Sequence, residues 1–327
     1  MHDKIAVGII GCGKHGSRYA QHLVADLGGS FHLTAVSRRS AVGRQQAEAW
    51  NAAFHADWRE LVCSQHVDAV ITAVPPHLNE DIGRLCAQMR KPLLMEKPLA
   101  TEYSAAKRLV DLFALEDVPL TVAQTLRYNT VIRGLKENLP DFGRLFSLSA
   151  CQRLEPSTLP WLEQPEIAGG GVIFHTAVHL FDALRFITGE EIVKIRAAAH
   201  KVFNAHLEDV VVAEIVLGNG CLGVIDAGKV SPARSGRYEF VCENGQLQGD
   251  QIHGVLEKIE GARRQALPLQ PPGPTLLPLL RDWHAFLCGK AKNPIPGSEG
   301  LAAVKICHGA RQSLDSDMWV DLQELGA

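Results

Sequence analysis

Lys97, His175 and His179 are the side chains of this 327-residue chain best suited to chemistry, and each sits in a pattern that would hold it still. Lys97 lies in Met95-Glu96-Lys97-Pro98, at the end of the apolar run Leu93-Leu94-Met95. Pro98 fixes its own φ and biases Lys97 towards extended geometry. A lysine held at a strand end of an open α/β sheet faces the crevice where ligands bind. There its ammonium can donate to an oxygen on which negative charge develops. His175 and His179 are four apart, and Asp182 follows three later, so the spacing predicts one stripe on a helix from Val172 to Ile187. An imidazole titrates near ~6.5, which suits exchanging a proton with an alcohol. Three readings of the stripe stay open: an acid/base pair, a metal set of His175, His179 and Asp182, and buried histidines without chemistry. The metal set has fitting ligand types but lacks the internal glutamate of HExxH, and no metal is expected.

A second group of residues reads as a dinucleotide site. Lys4 to Ile10 is a near-continuous β-favouring run that leads into Gly11-Cys12-Gly13-Lys14-His15-Gly16 and then a helical stretch from Ser17 to Leu27. In GxGxxG the first glycine allows the tight turn, the second lets backbone approach a pyrophosphate, and the third allows close helix–strand packing. The free N–H groups at the helix start would take the phosphates; a ligand-free glycine turn is the bland alternative. The second strand, Phe31 to Val36, ends at Ser37-Arg38-Arg39, where an NAD-preferring site would carry an acid for the ribose 2′-hydroxyl. Ser37 removes that repulsion and a guanidinium can grip a 2′-phosphate, so NADP(H) is expected to be preferred, with NAD(H) possible. Arg38 and Arg39 as solvated loop charges are the alternative. The strand Val67 to Val74 ends at Pro75-Pro76-His77, and Ala73, Pro75 and His77 join Glu96 and Lys97 as candidate cofactor contacts.

These residues need a scaffold of alternating strands and helices. Helical patterns from Ala41 to Ala53, Trp58 to Cys63, Leu78 to Met89 and Thr101 (as N-cap) to Glu116 separate the strands, and Pro119 to Ala123 closes the sheet. That order implies an α/β fold whose first domain is a doubly wound parallel sheet. Beyond Phe142 the pattern changes to strands at Leu145–Ala150, Val193–Phe203, Val210–Leu217, Cys221–Ala227 and Tyr238–Cys242. Gly218-Asn219-Gly220 and Glu243-Asn244-Gly245 supply hairpin turns. The expectation is residues 1–123 as the dinucleotide-binding Rossmann domain and 124–327 as an α+β domain with a largely antiparallel sheet. Arg127, Tyr128, Asn129 and Trp161 are expected at the substrate rim, offering hydroxyl partners and an apolar plate; ordinary packing is the alternative for Trp161. The proline-rich stretch Gln270–Pro278 reads as a surface crossing, with closing helices at Leu279–Leu287 and Ser298–Ser313.

Together the GxGxxG turn, Glu96-Lys97-Pro98 and Gln124-x-x-Arg127 resemble the Gfo/Idh/MocA oxidoreductases, over nearly the full chain to Trp319-Val320-Asp321-Leu322. The resemblance implies that Lys97 orients a substrate hydroxyl beside the nicotinamide, that Glu96 supports the cofactor side, and that a cis peptide precedes Pro98. The family pattern Gly-Gly-Gly-x-x-x-Asp-x-x-x-His falls on Gly169 to His179 and implies that His179 is the acid/base. The family aspartate falls on His175, a departure that removes negative charge beside His179 and lowers its expected pKa. The family also commonly places a subunit contact on the open face of the second sheet, implying a homodimer or homotetramer.

Composition bounds the alternatives. The chain is 46% hydrophobic and 21% charged with net charge −3, which gives no electrostatic reason to expect nucleic acid or an anionic membrane as partner. The opening Met1-His2-Asp3-Lys4 and its short apolar run do not make a signal peptide. Eight cysteines without CxxC pairing are read as reduced thiols of a cytoplasmic protein. The reading is an NADP-dependent oxidoreductase acting on a secondary alcohol or ketone of a sugar, cyclitol or polyol. In it Lys97 and His179 meet over one nicotinamide face, and His175 orients the substrate or relays the proton. The rivals are a redox-neutral or non-sugar-reducing enzyme of the same family and a non-catalytic NAD(P)-binding regulator.

Overall fold

The computed structural model describes residues 4–326, so the Met1–Asp3 opening lies outside the described residues. The chain forms two compact units. The first runs up to Ala100 and adds Ser104–Gln124 and Leu276–Leu301; the second holds Thr101–Tyr103, Thr125–Thr275 and the chain from Ala302. A single cut at 123/124 therefore differs from this division by Thr101–Tyr103, by Gln124 and, at greatest length, by the returning segment 276–301. The reason is visible in its contacts. Trp283, fully buried, stacks on Phe31 with ring centroids 5.7 Å apart. Asn293 bridges Leu120 and Thr121, and the carbonyl of Ile295 accepts from the N–H of Val122 at 2.9 Å. A sheet edge that would otherwise be open is covered in this way.

Among the described residues, the first unit holds six parallel strands: β1 (Ile5–Ile10), β2 (Phe31–Ser37), β3 (Ala53–His55), β4 (Ala69–Thr72), β5 (Leu93–Met95) and β6 (Leu120–Val122), in the order 3-2-1-4-5-6. Their apolar runs are continuous because both faces are covered: Val7, Ile9, Ile71, Leu94 and Met95 have no exposed surface. β3 was not expected, and it begins at Ala53, the last residue of the helical reading of Ala41–Ala53. The helix stops at Ala49, Asn51 turns the chain at a φ of 52°, and Ala53 begins pairing with Ala35. Thr101 does not cap its helix, which starts at Tyr103.

The second unit is built on β7 (Leu145–Arg153), β8 (Ile192–His200), β9 (Val210–Leu217), β10 (Leu222–Gly228), β11 (Ser235–Cys242), β12 (Gly245–Asp250), β13 (Val255–Glu260), β14 (Arg263–Ala266) and β15 (Val320–Asp321). They form one sheet, antiparallel except for the β7–β10 pair. β12 to β14 are additions to the expected strands; they carry few large apolar residues and β14 is wholly exposed, so periodicity does not mark them. Helices Thr130–Asn138 and Val178–Thr188 cover one face, over Leu148, Ile215, Ile225, Tyr238 and Phe240. The other face is open and carries Phe146, Val212, Leu222, Val224 and Val241 exposed. The stretch Pro165–Thr188 is long and apolar enough to cross a membrane by length and composition, but 72% of its most apolar window is buried, as in a core helix. All eight cysteines are free thiols.

Candidate active site

The parallel register gathers the candidate cofactor residues at one level. Ser37, Ile10, Thr72, Met95 and Val122 stand side by side across five strands. The residues immediately after the first four are Arg38, Gly11, Ala73 and Glu96, each a candidate from the sequence. Cross-strand bonds continue one step beyond this row, from the N–H of Gly11 to Ser37, of Ala73 to Ile10 and of Glu96 to Thr72. The edge is thus level and stiff where the order reverses between β1 and β4, the place open α/β sheets bind ligands.

Within the glycine turn each glycine has its own constraint. Gly11 has φ +93°, and a Cβ there would stand 2.5 Å from the Ala73 carbonyl oxygen. A Cβ on Gly16 would meet the Gly11 carbonyl oxygen at 2.0 Å. At Gly13 a Cβ would meet nothing within 4 Å. That is the cradle a pyrophosphate needs, and it leads into helix Lys14–Gln21, whose first turn has neither an acid nor a side-chain cap. The residues present fit a dinucleotide. Cys12 is fully buried and its thiol is pushed up to about 12 by that burial, so only its backbone can serve a cofactor. Lys14 is exposed on the turn, and His77 is exposed in the chain's outward bend after β4; Pro75 is half-buried.

Ser37 is buried at the end of β2, whereas Arg39 is exposed. Arg38 turns back on the loop: its Nη1 donates to the Cys12 carbonyl at 2.8 Å and to Gln46 Oε1 at 2.9 Å. Gln46 in turn donates to Ser17 Oγ, so one chain of bonds braces the glycine turn.

Beyond the row, Lys97 is followed by a cis peptide to Pro98. Tyr19, fully buried, donates from its hydroxyl to Glu96 Oε1 at 2.8 Å. Burial first and Glu96 second hold the Tyr19 pKa well above the ordinary phenol, so it remains a donor that fixes this carboxylate. His15 feels both neighbours: desolvation lowers its pKa, Glu96 opposes this and Lys97 adds to it.

In the second unit, His175 and His179 ride on helical backbone from Val172 to Thr188 whose Ile173–Ala177 portion is a π turn. Such wider turns recur at functional sites. From Gly171 to Leu184, only Gly171, His175 and His179 retain partial exposure; the rest are buried. The four-residue spacing therefore presents one accessible line. His175 Nε2 lies 3.0 Å from the Ala168 carbonyl, which can only accept, so that nitrogen carries a proton and is tied to the protein. Trp161 sits edge-on to the His175 ring at 5.5 Å, beside the histidine line.

Asp182 and Arg127 pair with each other, which corrects the rim expectation for Arg127 and takes a ligand from one of the open readings of the histidine stripe. Arg127 is not set at a rim: its Nε and Nη2 grip the Asp182 carboxylate at 2.5–3.1 Å, with the side chains 11% and 1% exposed. Asp182 is thereby spent on a guanidinium, and with His175 Nε2 donating to a carbonyl the histidine–aspartate metal set does not assemble. Asn129 is likewise a cap: its Oδ1 accepts from Val131 and Ile132 N–H at the start of helix Thr130–Asn138. Tyr128 is half-buried under the Arg133 guanidinium, 4.5 Å from its ring centroid.

A cavity of about 80 Å³ lies against His175 and is lined also by Ser157, Leu159, Asn204, Asp209 and Lys229. The β8–β9 loop and Lys229 were not anticipated; the adjacent acids Glu208-Asp209 at the start of a strand were the available signal. Asp209 Oδ2 accepts from the N–H groups of Val202, Phe203 and Asn204 at 2.8–2.9 Å. Burial raises its pKa, but those three bonds outweigh it and the net shift is downward. Glu208 is shifted upward, because burial exceeds its backbone bonds.

Comparison with known proteins gives consistent matches. Residues 5–124 match the model of the GFO/IDH/MocA oxidoreductase family, NAD-binding Rossmann fold, and residues 141–248 match the GFO/IDH/MocA C-terminal domain. The myo-inositol 2-dehydrogenase of Thermotoga maritima is 23% identical across 98% of this chain and 99% of its own length. Inositol 2-dehydrogenase 2 of Saccharopolyspora erythraea is 31% identical over 59% of this chain and 56% of its own. Among solved structures, levoglucosan dehydrogenase with NADH and levoglucosan has a TM-score of 0.90 at 20% identity, covering 98% of this chain and all of that one. A Desulfitobacterium hafniense protein named as an NADPH-dependent oxidoreductase has a TM-score of 0.90 at 18% identity, covering both chains in full.

Proposed function

The chain belongs to the Gfo/Idh/MocA oxidoreductase family, and from that membership we propose that it is an NAD(P)-dependent dehydrogenase or reductase of a secondary alcohol or ketone in a sugar, cyclitol or related polyol. The observation that carries this reading is the register row, which brings Glu96 and Lys97 to the level of the glycine turn. The accessible Gly171–His175–His179 line on an otherwise buried helix supports it. Relatives named inositol dehydrogenases support the polyol class.

A bound nicotinamide supplies the hydride acceptor in the oxidative direction and the donor in the reverse. The Gly13 cradle and the uncapped helix start hold its phosphates. Lys97 donates a hydrogen bond to the substrate oxygen as charge builds on it, and His179 accepts the hydroxyl proton. His175, bound to the Ala168 carbonyl and Trp161, orients the substrate. NADP(H) is the preferred cofactor in this reading: Ser37 brings no carboxylate to repel a 2′-phosphate, and Arg39 is an exposed guanidinium that can grip one, with Arg38 bracing the turn. The protein is cytoplasmic, in keeping with its free thiols, and associates as a homodimer or homotetramer through the open sheet face. Domain limits of 1–123 and 124–327 remain the working division, with segment 276–301 counted structurally with the first.

The test is a panel of polyols and keto-sugars, myo-inositol included, with NADP and NAD compared by nicotinamide absorbance. Turnover that vanishes in K97M and H179A while cofactor binding persists is the expected result. Full activity in both variants would end the reading. Equal affinity for NADH and NADPH, unaltered in R39A, would end the cofactor preference.

A further inference from the structure

The loop joining β8 to β9 carries Glu208 one residue before its end, and this residue holds the start of the histidine helix at three consecutive peptides. Glu208 Oε1 accepts from the N–H of Gly171 at 3.0 Å and of Ile173 at 3.1 Å. Its main-chain carbonyl accepts from the N–H of Val172 at 2.9 Å. The first N–H groups of a helix have no partner inside it, so one distant residue answers three donors that would otherwise be orphaned. The fit is close enough to dictate the sequence opposite. A Cβ on residue 171 would stand 2.1 Å from the Glu208 carbonyl oxygen and 2.8 Å from its carboxylate carbon, so only glycine is accommodated. The N–H of His175 bonds the Gly171 carbonyl at 3.1 Å, which ties the first histidine directly to the clamped peptide. His179 follows one turn later on the same accessible line.

Glu208 also lines the cavity against His175. The charged groups around it include Asp209, Lys229 and Glu163 on that cavity, Glu102 and Glu166 on a second cavity that Glu208 also lines, and Arg311 from helix Gly297–Ser316. Arg311 is itself anchored, donating to the Gly169 carbonyl at 3.2 Å and to Glu102. The clamp is therefore braced at the Gly169 and Gly171 ends of the glycine triplet by side chains from separate parts of the unit.

We propose that Glu208 is a positioning residue for the acid/base histidines: through the N–H groups of residues 171 and 173 its carboxylate fixes the height and rotation of the helix that presents His175 and His179. The proposal deepens the functional reading and rests on His179 being the group that exchanges the substrate proton. A displacement of the order of an ångström at a reacting group can cost about a hundredfold in rate, so a loose helix start has a kinetic signature.

The experiment compares E208A with E208Q in the full-length protein. Both side-chain bonds fall on Oε1, an acceptor that the glutamine amide keeps, so E208Q preserves the clamp and E208A removes it. Histidine ring resonances are followed by NMR through a pH titration, assigned with H175Q and H179Q. Those of His175 and His179 are expected to move in E208A and return in E208Q, while His32 and His66 of the other unit stay in place. With the polyol found in the panel, kcat is expected to fall about ten- to a hundredfold in E208A and to recover in E208Q, with cofactor KM unchanged. Unmoved resonances in E208A, or equal disturbance in E208Q, overturn the proposal. If E208A does not fold, E208D, whose carboxylate falls one methylene short, replaces it with the same expectations. Wild-type kcat in E208A beside an inactive H179A removes the positioning role alone. Full turnover in H179A removes the acid/base reading beneath it.

Discussion

Replacing Asp182 by alanine isolates a buried ion pair in the second unit. The carboxylate is 1% exposed and accepts three N–H···O contacts from a guanidinium whose side chain is 11% exposed. Removing it leaves the Arg127 cation inside without its counter-charge, a loss of about 3–5 kcal/mol. A pair of this kind contributes little against a well-packed apolar substitute, because desolvating both ions offsets most of their attraction. The double variant R127M/D182L is therefore expected to recover most or all of the stability that D182A loses. For a unit of this size each kcal/mol moves the melting temperature by roughly 2–4 °C, so D182A should melt about 6–20 °C lower. The assay is urea unfolding followed by circular dichroism, with the two units fitted as separate transitions. A cost below about 1 kcal/mol for D182A, or a double variant as weak as the single, would refute the account. Kinetics add an independent check. If Arg127 gripped substrate, as its sequence position suggested, R127M/D182L would raise the substrate KM sharply; the inward geometry predicts an unaltered KM.

Neighbouring acids should respond to pH with opposite sign. Asp209 has its pKa depressed, so its stabilisation is present above the unfolded value near ~3.8 and is lost as pH falls through the folded value; D209N should be destabilised at pH 7 and converge on wild type in acid. Glu208 has its pKa raised by burial, so its charge costs stability above the folded value and the cost is relieved on acidification; E208Q should be no less stable than wild type at pH 7 in thermal melts. Thiol reactivity should follow burial: iodoacetamide and mass spectrometry should find Cys63 and Cys288 alkylated first, with Cys12 and Cys86 modified only on unfolding. If the open sheet face joins copies of this chain, L222D on that face should shift the sedimentation coefficient to that of a smaller species without lowering cofactor affinity.

How far these features could be read from the chain depended on whether their cause was local. The Rossmann sheet was legible because burial on both faces forces unbroken apolar runs, as in Ile5–Ile10 and Ala69–Thr72. The glycine turn was legible because its demands are steric and fall on the residues that meet them. β12–β14 were not, since their pairing follows from the hairpins beside them rather than from an apolar rhythm of their own. The segment 276–301 returned to the first unit through Trp283 and Ile295, contacts that join residues more than a hundred positions apart.

At the site the same division holds, with a sharper consequence. Lys97, His175 and His179 were singled out in the sequence because their side-chain types suit proton exchange and charge stabilisation. Arg127 and Asn129 announce chemistry equally well, yet the fold spends both on structure, one on Asp182 and one on a helix start. A donor-rich side chain gives the same signal whether its partner is a substrate or a carboxylate 55 residues away. Glu208 is the converse case, invisible as a functional residue because its partners are backbone N–H groups, which every sequence supplies. The glycine at 171 was the trace it left: the sequence offered it only as part of a glycine triplet, and it is there because Glu208 occupies the space a side chain would need. A run of glycines before a histidine-bearing helix can therefore mark a rigid contact from elsewhere in the fold, and the E208A and E208Q pair separates that rigidity from flexibility.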